Sequence, residues 1–218
     1  AENPFTTGEA YELCNILTEK ENCSDDYYRL VNTGTIDPYV SLYGKKLTSY
    51  LKSKYIHPVV SKKDFAEYFP KRVRQMTEKL IVTGMRYFEV FYDKRGEYIA
   101  GKSTIILLRQ SLSEEDMMYL LGILNSRLIQ FFINQSYSTL GIGGGINFSV
   151  DMINSLPLPQ IVDNNLRRDM VDTVDKILGA INRNEDDIVE LKYKADQLVY
   201  QLYGLTDEEI AIVEGKNE

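Results

Sequence analysis

The 218-residue chain predicts an α+β fold, a mixed β-sheet unit with helical inserts followed by a C-terminal helical hairpin. Three observations predict it. Between residues 27 and 108, short β-branched and aromatic runs alternate with turn residues, the pattern of a β meander. At Ser113 the apolar period changes to helical spacing. After Pro159 two a/d-like apolar stripes succeed one another with a polar break between them.

Residues 6–19 carry Tyr11, Leu13, Ile16 and Leu17 in a weak helical pattern. Residues 27–31 read as a Tyr-rich strand closed by the turn Asn32-Thr33-Gly34. Residues 47–55 and 62–68 read as short helices, the first ending before Pro58 and the second before Pro70. Residues 80–83 and 87–92 read as strands, and Asp93-Lys94-Arg95-Gly96 supplies turn chemistry. Residues 98–100 and 104–108 continue in strand-like side chains.

Ser113 is an N-cap with Glu114, Glu115 and Asp116 in the first turn, where acids complement the helix dipole. Met117, Leu120, Leu121, Leu124, Leu128, Phe131 and Phe132 continue at helical spacing and predict one helix over 113–135. Residues 141–145 form a Gly-rich loop, and Leu156-Pro157-Leu158-Pro159 is a boundary that no helix interior tolerates. Met170, Val174, Ile177 and Ile181 make one later stripe; Ile188, Leu191, Ala195, Leu198 and Leu202 make the other. The capping residues at 182–187 favour a hairpin over one long rod. Gly204 then closes the second helix and Thr206 caps a short terminal one.

Net charge is −7, but its distribution is uneven. Residues 1–41 carry −6, residues 42–109 carry +9 and residues 110–218 carry −10. A basic middle third in an acidic chain is the asymmetry of a patch that meets a polyanion. The plain alternative is a solvated basic face paired with the chain's own acidic ends.

Several classes are excluded. No apolar run approaches the roughly 20 residues of a membrane span. The first residues have neither a basic start nor an apolar core, so no signal peptide is expected. Cys14, Cys23 and His57 are too few for a zinc site or a disulfide framework, and a reducing, cytoplasmic setting is expected. The chain opens on Ala1 and reads as a piece of something longer.

Residues 96–103 satisfy GxxxxGK[ST], but a P-loop needs a helix after it, and Thr104-Ile105-Ile106-Leu107-Leu108 is strand-like. Glu190-Leu191-Lys192 resembles the tail of a nuclease signature yet sits on an amphipathic helix. The Asn-Pro-Pro-aromatic motif of amino-methyltransferases is missing; Asn3-Pro4-Phe5 lacks its second proline. No nucleophile–base pair emerges, so no catalytic residue, metal ligand or cofactor is assigned to this chain. The chemistry left is the basic segment itself. Lys45, Lys46, Lys52, Lys54, Lys71, Arg72, Arg74, Lys79, Arg86 and Lys102 can meet phosphates, and the Lys, Arg, Ser and Thr side chains around Lys45–Thr48, Lys71–Arg74 and Lys102-Ser103-Thr104 can approach bases. Interleaved tyrosines suit backbone and sugar contacts and equally suit a sheet.

Five strings occur in one order: residues 31–37 (VNTGTID), Phe69-Pro70-Lys71, Gly101-Lys102-Ser103-Thr104, residues 120–127 (LLGILNSR) and Leu156-Pro157-Leu158-Pro159. The ending, residues 198–206, completes the set. Together they resemble the TaqI-like C-terminal specificity domain of adenine-specific DNA methyltransferases and fused type IIG restriction–modification enzymes. The resemblance implies a non-catalytic DNA target-recognition domain over 1–160 and a C-terminal helical unit over 161–218. It also implies double-stranded DNA as partner, an N-terminal methyltransferase domain in the same parent chain, and S-adenosylmethionine for that parent alone. No base-contacting residue carries over by position, because targets diverge within the family. A type I specificity subunit, a protein-interaction module working through the acidic helices, and a P-loop enzyme are the rivals.

Overall fold

The computed structural model describes residues 1–137, 146–159, 163–183, 185 and 187–216. The Gly-rich loop expected at 141–145 lies outside them. Packing divides the chain into two compact units, residues 1–111 with 147–154, and residues 112–146 with 155–218. This division falls at 111/112 rather than at 160, because the helices after Ser113 pack with the C-terminal ones.

In the first unit, α1 (Thr7–Leu13) begins at a capping box in which Thr6 and Glu9 satisfy each other's backbone N–H. It is shorter than the 6–19 pattern, and the chain continues into β1 (Thr18–Glu19) and β2 (Tyr27–Val31). Two short strands, β3 (Ile36–Asp37) and β4 (Val40–Ser41), pair with each other. Residues 47–55 are not a helix. They form a hairpin of β5 (Thr48–Tyr50) and β6 (Ser53–Tyr55), with Tyr50 opposite Ser53 across a two-residue turn. The reason is local: Thr48 and Tyr50 are buried while Ser49 is exposed, a period of two, and Leu51 adopts φ +50° in the turn. The Tyr50 hydroxyl then donates to the Ala10 carbonyl at 3.2 Å, fixing the hairpin to α1.

Next come β7 (Pro58–Ser61), α2 (Lys62–Tyr68), β8 (Lys79–Thr83), the short extended segment β9 (Met85–Arg86), β10 (Val90–Asp93), β11 (Tyr98–Ala100) and β12 (Thr104–Leu108). One sheet has the order β1-β7-β2-β11, with only β2 and β11 parallel. The other is antiparallel, β10-β8-β12. Alternation along β2 and β11 builds two cores at once. Leu30 and Ile99 join Phe5, Leu13, Phe65 and Phe69 beneath the helices. Their chain neighbours Val31 and Ala100 join Ile81, Phe91 and Ile106 of the second sheet.

In the second unit, the predicted 113–135 helix is two helices, α3 (Glu114–Leu124) and α4 (Arg127–Tyr137). Ser126 intervenes, its Oγ accepting from the Ile129 N–H at 3.3 Å, and Asp196 accepts the Arg127 N–H at 2.8 Å. Sequence period alone shows the shared apolar face but not this break. The short helix α5 (Val150–Asn154) belongs to the first unit. Then α6 (Asn164–Arg183) and α7 (Ile188–Tyr203) pack on each other as the stripes predict, with Met170, Val174, Ile177, Ala195 and Leu198 buried. Gly204 ends α7 in the left-handed conformation, and Thr206 caps α8 (Asp207–Val213). No helix among the described residues is long and apolar enough to cross a membrane.

Candidate nucleic-acid interface

Within the first unit, segments far apart in sequence meet at one hydrogen-bonded junction. Its centre is Asn32, at the end of β2. The Asn32 amide donates to the Ser49 carbonyl at 2.9 Å, and its Oδ1 accepts the Ser103 N–H at 3.2 Å. The Gly101 N–H donates to the Val31 carbonyl at 2.7 Å. On the other side, the Ser103 carbonyl accepts from the Gly84 N–H at 2.9 Å and from the Thr33 hydroxyl. The Leu42 N–H donates to the Thr35 carbonyl, tying in the loop that carries Lys45 and Lys46. Two glycines allow the closure. A Cβ on Gly101 would lie 2.7 Å from Asn32 Oδ1, and one on Gly84 would lie 2.5 Å from the Ser103 carbonyl oxygen.

The junction gathers six basic residues: Lys45 and Lys46 before the β5–β6 hairpin, Lys52 and Lys54 on it, Arg86 after Gly84, and Lys102 beside Ser103. All but the half-buried Lys102 are exposed, and none makes an ion pair among the described residues. Burial, with the Asp37 charge adding to it and Lys46 opposing, raises the neighbouring Glu89 carboxyl to about 7. Its negative charge in the field of Lys46 is thereby reduced near neutral pH.

The other expected contacts lie elsewhere or inside. Lys79 is a correction: its side chain is 1% exposed and its ammonium sits 2.5 Å from Asp93, so it cannot reach a ligand. Thr48 and Thr104 are also buried, Thr104 donating to the Gly101 carbonyl at 2.7 Å, so neither can touch a base. Ser103 contributes through its backbone. Lys71 is exposed, on the segment after α2. Its neighbours are engaged: Arg74 pairs with Glu2 at 2.8 Å, and Arg72 grips both Glu9 oxygens at 3.0 and 2.7 Å.

Glu9 yields a test of that neutralised cluster. The Arg72 fork, helped by hydrogen bonds with Thr6 and opposed by burial, holds its carboxyl at about 2. A lowered carboxyl stabilises the fold fully above its ordinary value near 4.5, and the gain is lost as pH falls toward 2. Glu9→Gln is expected to cost about 1 kcal/mol at pH 7. Thermal melts from pH 7 to 2.5 should show the gap to wild type closing at the acid end; a pH-independent gap would refute the ion pair's role.

The P-loop match at 96–103 sits in a context that cannot serve a phosphate. Lys102 and Ser103 occupy the turn between β11 and β12, and no helix N-terminus is there to cradle one. Among the described residues no three His, Cys, Asp or Glu side chains are placed to hold a metal ion.

Residues 32–158, from the junction's central asparagine to the Leu-Pro-Leu-Pro segment, match the model of the TaqI-like C-terminal specificity domain. The chain belongs to that family. The strings at 31–37 and 101–104, about 70 residues apart, are the two sides of the junction in this specificity domain. The Leu-Pro-Leu-Pro segment has its own anchor, since the Tyr203 hydroxyl donates to the Pro157 carbonyl at 2.7 Å. None of the curated proteins compared matches the chain. Among solved structures, it is similar in fold to the Type IIL restriction-modification enzyme MmeI in complex with DNA, at 13% identity and a TM-score of 0.54. That likeness covers 95% of this chain and 32% of the other, so the specificity domain spans about a third of MmeI's length.

Proposed function

We propose that this chain is the DNA target-recognition module of a restriction–modification methyltransferase of type II or fused IIG kind, without a catalytic step of its own. The observation that carries this reading is the junction, which in a specificity domain brings together the segments bearing six basic residues, none of them in an ion pair among the described residues. Lysines there neutralise phosphates and release counterions, and the segments between them offer side chains to the bases. A methyltransferase domain N-terminal to it in the parent chain would do the chemistry. S-adenosylmethionine belongs to that domain. The nearest methyltransferase-like string here does not fit an adenine, because Phe5 is 1% exposed in the core.

The rival module, one that binds protein through its acidic helices, has Val189 and Tyr193 in its favour, 77% and 50% exposed one turn apart on α7. Anisotropy titrations of a roughly 30-bp duplex across a salt series separate the two. Five lysine–phosphate contacts, from Lys45, Lys46, Lys52, Lys54 and Lys102, predict a log–log salt slope of about −4.5. Replacing Lys52 and Lys54 with Ala should shallow that slope by about 2. Replacing Arg72 and Arg74, already neutralised by Glu9 and Glu2, should change it by less than about 1. No binding, or the reverse order of effects, would refute the assigned interface.

A further inference from the structure

The tip between β8 and β10 combines a rigid base with a crown of solvent-exposed side chains. Its base is clamped on both sides. The Thr83 hydroxyl accepts the Glu89 N–H at 2.9 Å and donates to the Tyr87 carbonyl, while Gly84 is held by Thr33 and Ser103. Phe88 is 1% exposed and stacks edge-on against Phe148 with ring centroids 5.3 Å apart. The Phe148 N–H in turn donates to the Gly84 carbonyl at 2.9 Å.

Between these anchors stand Met85, Arg86 and Tyr87, and all three face solvent. Met85 is 37% and Tyr87 73% exposed. Among the described residues, no side-chain hydrogen bond or ion pair holds Arg86. Arg86 also adopts φ +72°, a left-handed conformation that costs a side-chain-bearing residue energy unless its surroundings impose it. The clamped tip thus holds an exposed apolar pair and a strained arginine whose side chains the core does not use. A nucleic acid supplies what each side chain lacks: the fork of an arginine matches guanine O6 and N7, and aromatic rings stack on unstacked bases. Thioether and aromatic side chains also wedge base steps apart.

We infer that Met85-Arg86-Tyr87 is the base-reading tip of this domain, with Arg86 specifying a guanine and Tyr87 stacking on an adjacent base. The inference rests on the DNA-recognition reading and goes beyond it by assigning specificity to residues, where the lysines supply only grip.

The test uses the whole 218-residue chain and a duplex pool randomised over its central base pairs. Wild type should enrich a motif containing guanine. Arg86→Ala should lose discrimination at one guanine by roughly 5- to 150-fold, while its affinity for the unselected pool falls by less than about threefold. Because the chain contains no tryptophan, Tyr87→Trp is a sole reporter. Its emission should be quenched on saturation with the enriched duplex, whereas Tyr68→Trp, on α2, should keep its emission. If Arg86→Ala enriches the wild-type motif unchanged, or Tyr87→Trp is not quenched while DNA binds, the tip is not the reader and the DNA-recognition reading stands. If wild type binds no duplex at all, that reading fails and the tip assignment falls with it.

Discussion

Asp93→Ala is expected to destabilise the first unit by about 3–5 kcal/mol, the cost of stranding one member of a buried ion pair. Lys79 and Asp93 face each other across β8 and β10, and their side chains are 1% and 2% exposed. Asp93 also accepts the Glu97 N–H at 3.0 Å and the Tyr98 N–H at 3.1 Å, so it shapes the turn that leads into β11. Burial already pulls the Lys79 pKa below the ordinary lysine value near 10.5, against the pull of Asp93. Without Asp93 the amine would shed its proton on folding. The unfolded chain then binds more protons than the folded one, so the variant's stability should rise with pH toward about 10. Urea unfolding at about pH 7 and about pH 9.5 measures both effects. Pairing Lys79→Met with Asp93→Leu should recover only part of the loss, since two backbone N–H groups stay unmatched. A loss below about 1 kcal/mol in Asp93→Ala would mean that water reaches the pair.

Lys79 also shows where sequence reading stops. A lysine in a basic stretch looks like a surface cation, and nothing in its neighbours announces a partner 14 residues on. The same holds for Arg72 and Arg74, whose partners Glu9 and Glu2 lie 63 and 72 residues earlier in the chain. Where the information is local, the elements are legible. The Ser113 cap, the turn at 93–96, the strands at 98–100 and 104–108 and the stripes of α6 and α7 all stand where their residue patterns place them. The β5–β6 hairpin is hidden because Leu47, Leu51 and Tyr55 happen to fall at helical spacing, whereas burial of Thr48 and Tyr50 obeys a period of two. Of the candidate site, the Lys45–Lys54 segment, Arg86 and Lys102 are legible from charge. That their segments meet at one junction is not, because Asn32, Gly84 and Gly101 join them through contacts with distant backbone groups that leave no mark on composition. The ordered family strings are the one trace of that junction.

Asn32→Ala tests the junction directly, and its expected cost is about 1–3 kcal/mol. The side chain belongs to a buried residue and bridges two segments that otherwise share no bond at this point. Its loss leaves the Ser49 carbonyl without its donor and the Ser103 N–H without its acceptor, two partly buried groups that water replaces only in part. Truncation also opens space beside Gly101, whose lack of a Cβ is matched to the amide. Asn32→Asp separates the two halves of the bridge. It keeps the acceptor for Ser103, loses the donor to Ser49 and sets a carboxylate against a carbonyl, so it should be at least as damaging as Ala. The functional effect should exceed what unfolding explains. At a temperature where the variant remains folded by circular dichroism, the hairpin bearing Lys52 and Lys54 is no longer tied to the turn bearing Lys102. Duplex affinity should then drop by about tenfold, in proportion to phosphate contacts no longer made together. Lys71→Ala is the control, a charge removed away from the junction, and should change affinity by less than about threefold. Full affinity in folded Asn32→Ala would show that the two lysine-bearing segments bind DNA independently, and that the junction serves stability alone.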